Sequence, residues 1–263
     1  MKMAPGQKAE VAPISRIISS QVKSVLTTYS RMPAFLAISM GLPIMFFVFF
    51  GLPSIGQRTA TGTSLGAYIL ASLGAYAVSN VAVYNVGIGL ATQRARKVDL
   101  LQRATPLPPF VAVLGNVVGG LALAAISLLA LFAVAAISGV RMAALTWLVL
   151  LAWLVVGSLP MLGLGLTIGY GAGRNSAPAL ASLIFLPIAF ASGLFVPLDH
   201  LPGYIRSIAG YLPLYHSGQL GWITVGAGNE SLPTAILWVA GWSVLLLGVA
   251  ARAYRRDALR KFA

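Results

Sequence analysis

The chain has 263 residues, of which 58% are hydrophobic and only 9% are charged, and its mean hydropathy is +0.87. A soluble domain of this length keeps roughly a quarter of its residues charged, so the composition excludes an ordinary soluble protein and predicts a membrane protein. The net charge of +13 does not indicate nucleic-acid binding, because no water-exposed basic segment carries stacking aromatic residues, and the absence of cysteine excludes disulfides and cysteine metal sites.

The first predicted element is an amphipathic helix over residues 14–31. Apolar side chains recur there at helical spacing, while Arg16, Lys23 and Arg31 fall on the opposite face. A basic face and an apolar face together are typical of a helix that lies between the lipid headgroups and the acyl chains. Residues 1–32 lack the compact apolar core and the cleavage site of a signal peptide, so we expect the first span to stay uncleaved.

Six apolar runs without a charged residue follow along the chain. Each exceeds the length of about 17 to 20 residues that crosses the hydrocarbon as a helix. Tilting, or kinks at Pro160 and Pro187, must absorb the surplus length of several runs. The predicted fold is therefore all-α, a single polytopic membrane domain over residues 1–263. The predicted spans cover residues 33–51, 64–92, 107–138, 142–172, 177–198 and 231–251.

The basic residues predict how the chain is oriented. Six spans place both termini on one side of the membrane, and all but three of the 18 Lys and Arg residues fall on that side. The exceptions are Arg58, Arg141 and Arg206. The positive-inside rule therefore predicts a multi-pass protein of the bacterial cytoplasmic membrane, with both termini in the cytoplasm.

The six runs contain no Asp, Glu, Lys or Arg. Transporters driven by proton or sodium gradients usually keep such residues at depth, because a titrating or ion-binding group couples the gradient to movement. An intramembrane serine protease is also disfavoured, since Ser192 lacks the leading glycine of a GxSG turn and His200 and His216 fall outside the spans, where we expect polar interface residues. The glycine-rich segment 163–175 lacks the lysine of a nucleotide-binding loop. We expect no catalytic residue and no metal site.

Glycines recur at four-residue intervals on two spans. Gly165, Gly169 and Gly173 share one helical face, and Gly115 and Gly119 repeat the spacing on the third span. Small residues at this spacing let helix backbones approach closely in lipid, where packing drives association. Either contacts within the chain or contacts between subunits would use these faces.

The loop after the second span is strongly basic. Residues 93–103 predict about three helical turns with Arg94, Arg96 and Lys97 exposed, and Pro106 ends the helix. A short amphipathic helix on a loop can dock in a groove of a partner protein. A transporter with neither a gradient-coupling residue nor a nucleotide site needs a partner protein that supplies the energy. This loop is the predicted docking site for that partner.

Two segments resemble the permease subunits of type-two ATP-binding cassette exporters. QRARKVDLLQRATPLP at residues 93–108 is similar to the coupling helix of that family, and SGLFVPLDHLPGYIRSIAGYLPLYH at 192–216 is similar to its short outward-facing helices, here 199–216. Gln93 stands where the family often has an acid, which leaves Asp99 as the acid of the loop. The resemblance implies that the residues coupled to the ATPase are Arg94, Arg96, Lys97, Val98, Asp99, Leu100 and Leu101.

The same resemblance implies the partners and the activity. Two permease subunits, identical or related, would pair in the membrane above two ATP-binding cassette ATPase subunits. ATP and Mg would bind to the ATPase subunits, and this chain would bind no cofactor. The implied function is ATP-driven outward movement of drug-like or lipid-like cargo by alternating access. An ATP-independent secondary transporter is the alternative, and an intramembrane protease is less favoured.

Two groups of side chains are candidates for the route of the cargo. The first is a polar and aromatic stripe on the second span, which could line a pathway or form hydrogen bonds between helices. The second is a group in the outer segment, which could form a hydrophobic gate or anchor the chain at the interface. The stripe consists of Ser72, Tyr76, Ser79, Asn80 and Tyr84, and the gate group of Phe195, Pro197, Leu201, Tyr204 and Tyr211.

Overall fold

A computed structural model describes residues 19–20, 23, 27, 41–59, 62–96 and 109–260, with the backbone alone at 109–114, 116 and 258–260. Throughout these residues the fold is helical, and the only extended pairing is a single bridge between Arg58 and Ser64. The predicted all-α class is therefore confirmed. The helices are Gly41–Ser54 (α1), Leu65–Ala95 (α2), Pro109–Ile137 (α3), Ala144–Gly171 (α4), Ala177–Ala191 (α5), Gly203–Ala209 (α6), Pro213–Thr224 (α7) and Leu232–Arg260 (α8).

The long helices fit a multi-pass membrane protein. In the described residues, α2, α3, α4 and α8 are long and apolar enough to cross a membrane, whereas α1 and α5 are shorter apolar helices. The 15 residues of α5 span roughly 22 Å at a helical rise of about 1.5 Å per residue, less than a hydrocarbon core of about 30 Å. The count of six spans stays a prediction.

The fifth predicted span ends earlier than expected. It was predicted to run to residue 198, but α5 ends at Ala191. Gly193 then takes a left-handed conformation with a φ of 79°, which ends a helix and turns the chain. A charge-free sequence continues past this turn, so hydropathy alone does not locate it.

Helix α2 is almost wholly enclosed by the other helices. The side chain of Ser64 caps its N-terminus by accepting a hydrogen bond from the backbone N–H of Ala67. Halfway along, Val81–Ile88 form a π-helix before the α-helix resumes at Gly89. Since a π-helix has more residues per turn than an α-helix, side chains beyond Asn80 leave the faces that an α-helical spacing predicts.

Helix α4 is broken in the middle. Its two halves, Ala144–Gly157 and Leu159–Gly171, meet at Ser158, two residues before the predicted kink at Pro160. Pro160 lies in the first turn of the second half, where its missing N–H removes no bond within that half. Pro187 lies inside α5, which continues through it.

The second half of α4 packs closely between α2 and α8. A Cβ atom added to Gly165 would stand 2.3 Å from the carbonyl oxygen of Ala82, and one added to Gly163 would stand 2.8 Å from the Cβ of Leu246. Gly169 approaches Leu90 in the same way, whereas Gly173 lies beyond the end of α4. On α3, Gly120 approaches α2 at Val86, and the role of the predicted Gly115 and Gly119 face stays a prediction.

The two ends of the bundle differ in charge. The C-terminal ends of α2, α4 and α8 meet at one end, which we call the basic end. Its described charged residues are Arg94, Arg96, Arg174, Arg252, Arg255, Arg256 and Asp257. At the opposite end, called the outer end below, the described charges are Arg58, Arg141, Arg206, Asp199 and Glu230. The partition follows the sequence prediction, and the orientation in the cell stays a prediction.

Most of the predicted interfacial helix at 14–31 lies outside the described residues. Ser19, Ser20, Lys23 and Thr27 are described, and all four are helical and exposed. The hydroxyl of Thr27 donates to the carbonyl oxygen of Lys23 at 2.7 Å, four residues earlier. The position of this segment relative to the membrane stays a prediction.

Candidate functional site

A cluster of aromatic rings joins α1, α2, α5 and the turn after α5. The ring of Phe195 lies 4.7 Å from that of Tyr76 and 4.6 Å from that of Phe190, measured between centroids. Phe185 lies 5.6 Å from Tyr76 and 5.8 Å from Tyr84. The rings therefore form a continuous series from the middle of α2 to the outer end. We call it the aromatic cluster, and it consists of Phe46, Tyr76, Tyr84, Phe185, Phe190 and Phe195.

Three members of the predicted stripe belong to this cluster or border it. The hydroxyl of Tyr84 donates to Oγ of Ser182 at 3.0 Å, and Nδ2 of Asn80 donates to the Tyr76 hydroxyl at 3.2 Å. Asn80 and Tyr84 are half-buried, which leaves part of each side chain accessible. The polar atoms of the cluster are thus neutral hydroxyl and amide groups among aromatic rings.

The other two members of the stripe lie in the packed interior. Oγ of Ser72 accepts a hydrogen bond from the indole Nε1 of Trp222 at 2.8 Å and donates to the carbonyl oxygen of Tyr68 at 3.1 Å. Ser79 is fully buried, and its Oγ has no hydrogen-bond partner among the described residues. The stripe therefore divides into Tyr76, Asn80 and Tyr84 at the cluster and two buried serines.

The short helix α7 reaches from the outer end into the bundle. Besides the bond to Ser72, Trp222 stacks on Tyr68 at 5.4 Å between ring centroids. Ser217 Oγ donates to the carbonyl oxygen of Gly157 at 2.6 Å, directly before the break in α4. These bonds fasten α7 to α2 and to the middle of α4.

The predicted gate residues differ in exposure and in their contacts. Phe195 belongs to the aromatic cluster, and Pro197 and Leu201 are half-buried. Tyr204 and Tyr211 are 73% and 65% exposed. Tyr211 lies 6.3 Å from the ring of Trp238 on α8, away from the cluster.

Exposed apolar side chains of α1 and of α5 lie on the two helices that contribute Phe46, Phe185 and Phe190 to the aromatic cluster. Phe49 and Phe50 on α1 are 65% and 61% exposed, and Leu183 and Phe190 on α5 are 72% and 52% exposed. Phe190 belongs to both the cluster and this face. We call the four residues the α1–α5 face.

The sequence predicted that Arg94 points outward, but in the structure it does not. The structure continues α2 through Ala95, so Gln93 and Arg94 belong to the last turn of that helix, and Arg96 follows it as the capping residue. Nη1 of Arg94 donates to the carbonyl oxygens of Gly169 at 2.7 Å and Ala172 at 3.2 Å.

The same guanidinium forms an ion pair with Asp257 on α8. Arg94 therefore joins the ends of three helices, and its positive charge lies at the negative end of the α4 dipole. Arg96 is exposed as predicted. The remaining coupling residues, Lys97, Val98, Asp99, Leu100 and Leu101, lie outside the described residues, so their role stays a prediction.

The two histidines differ in their surroundings. His200 is exposed, as expected, but His216 is buried and its ring stacks on that of Trp238 at 4.9 Å. Nδ1 of His216 contacts Oε1 of Glu230 at 2.9 Å and Nε2 contacts the carbonyl oxygen of Gly210 at 2.8 Å. Both ring nitrogens are engaged, so His216 fastens the outer segment and is not placed to take a proton from Ser192.

Three of the aromatic rings and one hydroxyl of this region were not predicted from the sequence. They lie in apolar runs that were interpreted only as spans, and they are Phe46, Phe185, Phe190 and Ser182. The sequence shows how the last three are spaced along α5, but it does not show that α5 packs against α2. For the described residues, no three His, Cys, Asp or Glu side chains are grouped closely enough to hold a metal ion.

Comparison with known proteins identifies the family. The family model for ABC-2 type transporters matches residues 18–220, more than three quarters of the chain. A protein of Bacillus subtilis (strain 168) named "Putative transport permease YvfS" is 23% identical over 242 residues, which cover 92% of this chain and 94% of that protein. The match includes the aromatic cluster and the turn that holds Arg94. The chain belongs to the ABC-2 type transporter family and is a multi-pass permease subunit of such a transporter.

Proposed function

We propose that this permease exports hydrophobic or amphipathic molecules, powered by ATP that separate ATPase subunits hydrolyse. The observation that carries the proposal is the aromatic cluster, which runs from Tyr84 in the middle of α2 to Phe195 at the outer end. ABC-2 permeases associate with ABC ATPases, which supply the energy that this chain has no motif to supply.

The chemistry of the cluster favours an uncharged or weakly polar cargo surface. Aromatic faces bind apolar and aromatic groups, while the hydroxyls of Tyr76 and Tyr84 and the amide of Asn80 can orient a polar end. No charged side chain is among them, so a sugar phosphate or a metal ion would lose its hydration without compensation. The chemistry of these groups suits both drug-like and lipid-like molecules, which would reach the buried rings of Tyr76 and Phe185 when the helices separate.

A second permease, identical or related, would cover the α1–α5 face. Four large apolar side chains are exposed there beside the aromatic cluster, and Phe190 belongs to both. A partner packed on this face would place the two clusters on either side of the interface between subunits. Cargo moving along that interface would contact rings from both chains.

The ATPases would bind at the basic end, which we place in the cytoplasm. The predicted coupling residues at 94–101 begin at the last turn of α2, so a push on them would act directly on α2. Arg94 would pass the movement to α4 and α8 through its bonds to Gly169, Ala172 and Asp257. The break at Ser158 would let the two halves of α4 tilt separately, as alternating access requires.

The proposal is tested in inside-out vesicles that contain the permease and its ABC ATPase. Uptake of rhodamine 6G and of a fluorescent phospholipid is measured with ATP, with a non-hydrolysable ATP analogue, and with ATP plus an ionophore. We expect uptake with ATP alone and with ATP plus ionophore. Uptake that persists without hydrolysis and stops with the ionophore would identify a secondary transporter instead.

The cargo route is tested by Phe195→Ala. This change removes a ring that contacts three others, so we expect ATP-driven uptake to fall about tenfold, equivalent to about 1.4 kcal/mol of lost interaction. Tyr204→Ala removes a ring of similar size that is 73% exposed, and we expect it to leave uptake near wild type. Equal uptake by the two variants would contradict the assignment of the cluster as the route.

A further inference from the structure

A groove opens at the basic end between the last turns of α4 and α8. Its volume is roughly 610 Å³. The α4 wall includes Thr167 and Tyr170, the α8 wall includes Arg252 and Arg256, and Arg94 lies between them. Arg94, Ala172 and Asp257, which belong to the proposed coupling, also line this groove, whereas Arg252 and Arg256 have no part in that coupling.

The groove carries an excess of positive charge. Arg94 is paired with Asp257, which is the one acidic residue among the described residues of this end. Arg252 and Arg256 are both exposed, and four residues apart on a helix they project on the same face. Three arginines therefore line the groove beside one described carboxylate, which leaves an excess of positive charge.

An apolar surface leads from these arginines toward the middle of the membrane. A second groove of about 420 Å³ runs along the other flank of α8, and Arg252 lines both grooves. Its upper walls are Val244 and Leu245, which are 75% and 54% exposed. Gly248 adds no side chain between them and Arg252, so the surface is open and flat there. A chain of methylene groups fits this surface.

The arrangement matches an amphipathic anion with its charged group at the level of the lipid headgroups. We propose that the cytoplasmic end of α8 binds an anionic phospholipid, with the headgroup phosphate between Arg252 and Arg256 and an acyl chain along Val244 and Leu245. Guanidinium groups bind phosphate through paired N–H donors, and basic pockets between membrane helices are suited to anionic headgroups. A soluble phosphate ester offers the same anion, but it would leave the apolar surface unused.

The binding is tested with the full-length permease in detergent, by native mass spectrometry during titration with phosphatidylglycerol or phosphatidylcholine. We expect phosphatidylglycerol to bind more tightly than phosphatidylcholine. Arg256→Gln is expected to weaken phosphatidylglycerol binding about fivefold. Arg256→Lys is expected to weaken it less, because lysine keeps the positive charge. Arg174→Gln removes one charge from the same end at an exposed position outside the groove, and we expect it to leave the affinity unchanged.

Three results would overturn the proposal. Equal weakening by Arg174→Gln and Arg256→Gln would show a general attraction to the basic end. Both phospholipids contain the phosphodiester, so equal binding would show that the net negative charge of the headgroup is not recognised. Displacement of phosphatidylglycerol by millimolar glycerol 3-phosphate would identify a soluble phosphate ester as the ligand. The assay uses neither ATP nor the ATPase, so none of these results bears on the proposed export function.

Discussion

Replacing Gly165 with alanine is expected to lower the free energy of unfolding by about 3 kcal/mol. The new Cβ would stand 2.3 Å from the carbonyl oxygen of Ala82 and 3.1 Å from the Cα of Val83. Both contacts are with backbone atoms of α2, so no side chain can rotate away and the two helices must separate. Separation would also pull α4 from its contact with Gly87, where the backbone of Gly165 fills the available space.

The matched control is Gly248→Ala on α8. A Cβ added to Gly248 meets no atom within 4 Å, and alanine is the better helix former by about 1 kcal/mol. We expect this variant to be as stable as the wild type or slightly more stable. Unfolding is followed by titration with a denaturing detergent and by monodispersity on gel filtration. A Gly165→Ala protein as stable as the control would show that α4 does not pack against α2 this closely.

Replacing Arg94 with methionine is expected to destabilise the basic end by about 2 to 3 kcal/mol. The change removes the ion pair between Arg94 and Asp257, and it removes two charge-assisted bonds to the last carbonyl groups of α4. Arg94 is 19% exposed and Asp257 is 10% exposed, so water compensates for only part of this loss. Thermal unfolding of the purified permease measures the effect.

A double-mutant cycle separates the ion pair from the rest of the change. Asp257→Asn removes the charge of the partner, and we expect the double variant to be less destabilised than the sum of the two single variants by about 1 to 2 kcal/mol. Arg96→Gln is the control, because Arg96 is exposed beside Arg94 and its replacement should change stability by less than about 0.5 kcal/mol. If Arg94→Met retained full stability but no longer co-purified with the ATPase, Arg94 would be a docking residue and not a link between helices.

The sequence predicted the class of the fold because hydropathy reports burial in lipid directly. The positions of α2 and α3 follow from long charge-free runs, whereas α8 continues past its predicted end at residue 251 to Arg260. The unequal charges of the two ends follow from the count of basic residues. The early end of α5 could not be predicted in this way. It depends on the backbone conformation of Gly193, and a turn buried among other helices remains apolar in sequence.

The candidate site was predicted only in part, for two physical reasons. A stripe at 3.6-residue spacing assumes an unbroken α-helix, but α2 changes to a π-helix at Val81, between Asn80 and Tyr84. The sequence also does not show which helices pack against each other. Tyr76 and Phe195 were therefore assigned to separate groups, although their rings are in contact. Arg94 was predicted to be exposed by the same reasoning, since its partners lie about 75 and 163 residues away along the chain.

The π-helical segment Val81–Ile88 has a mechanical consequence for α2. The same eight residues complete fewer turns in a π-helix than in an α-helix, because each hydrogen bond encloses one more residue. An exchange of this segment between the two forms would rotate Gln93 and Arg94 about the helix axis relative to Tyr76. Torsion applied at one membrane surface would then reorient side chains near the opposite surface while the backbone hydrogen bonds stay paired.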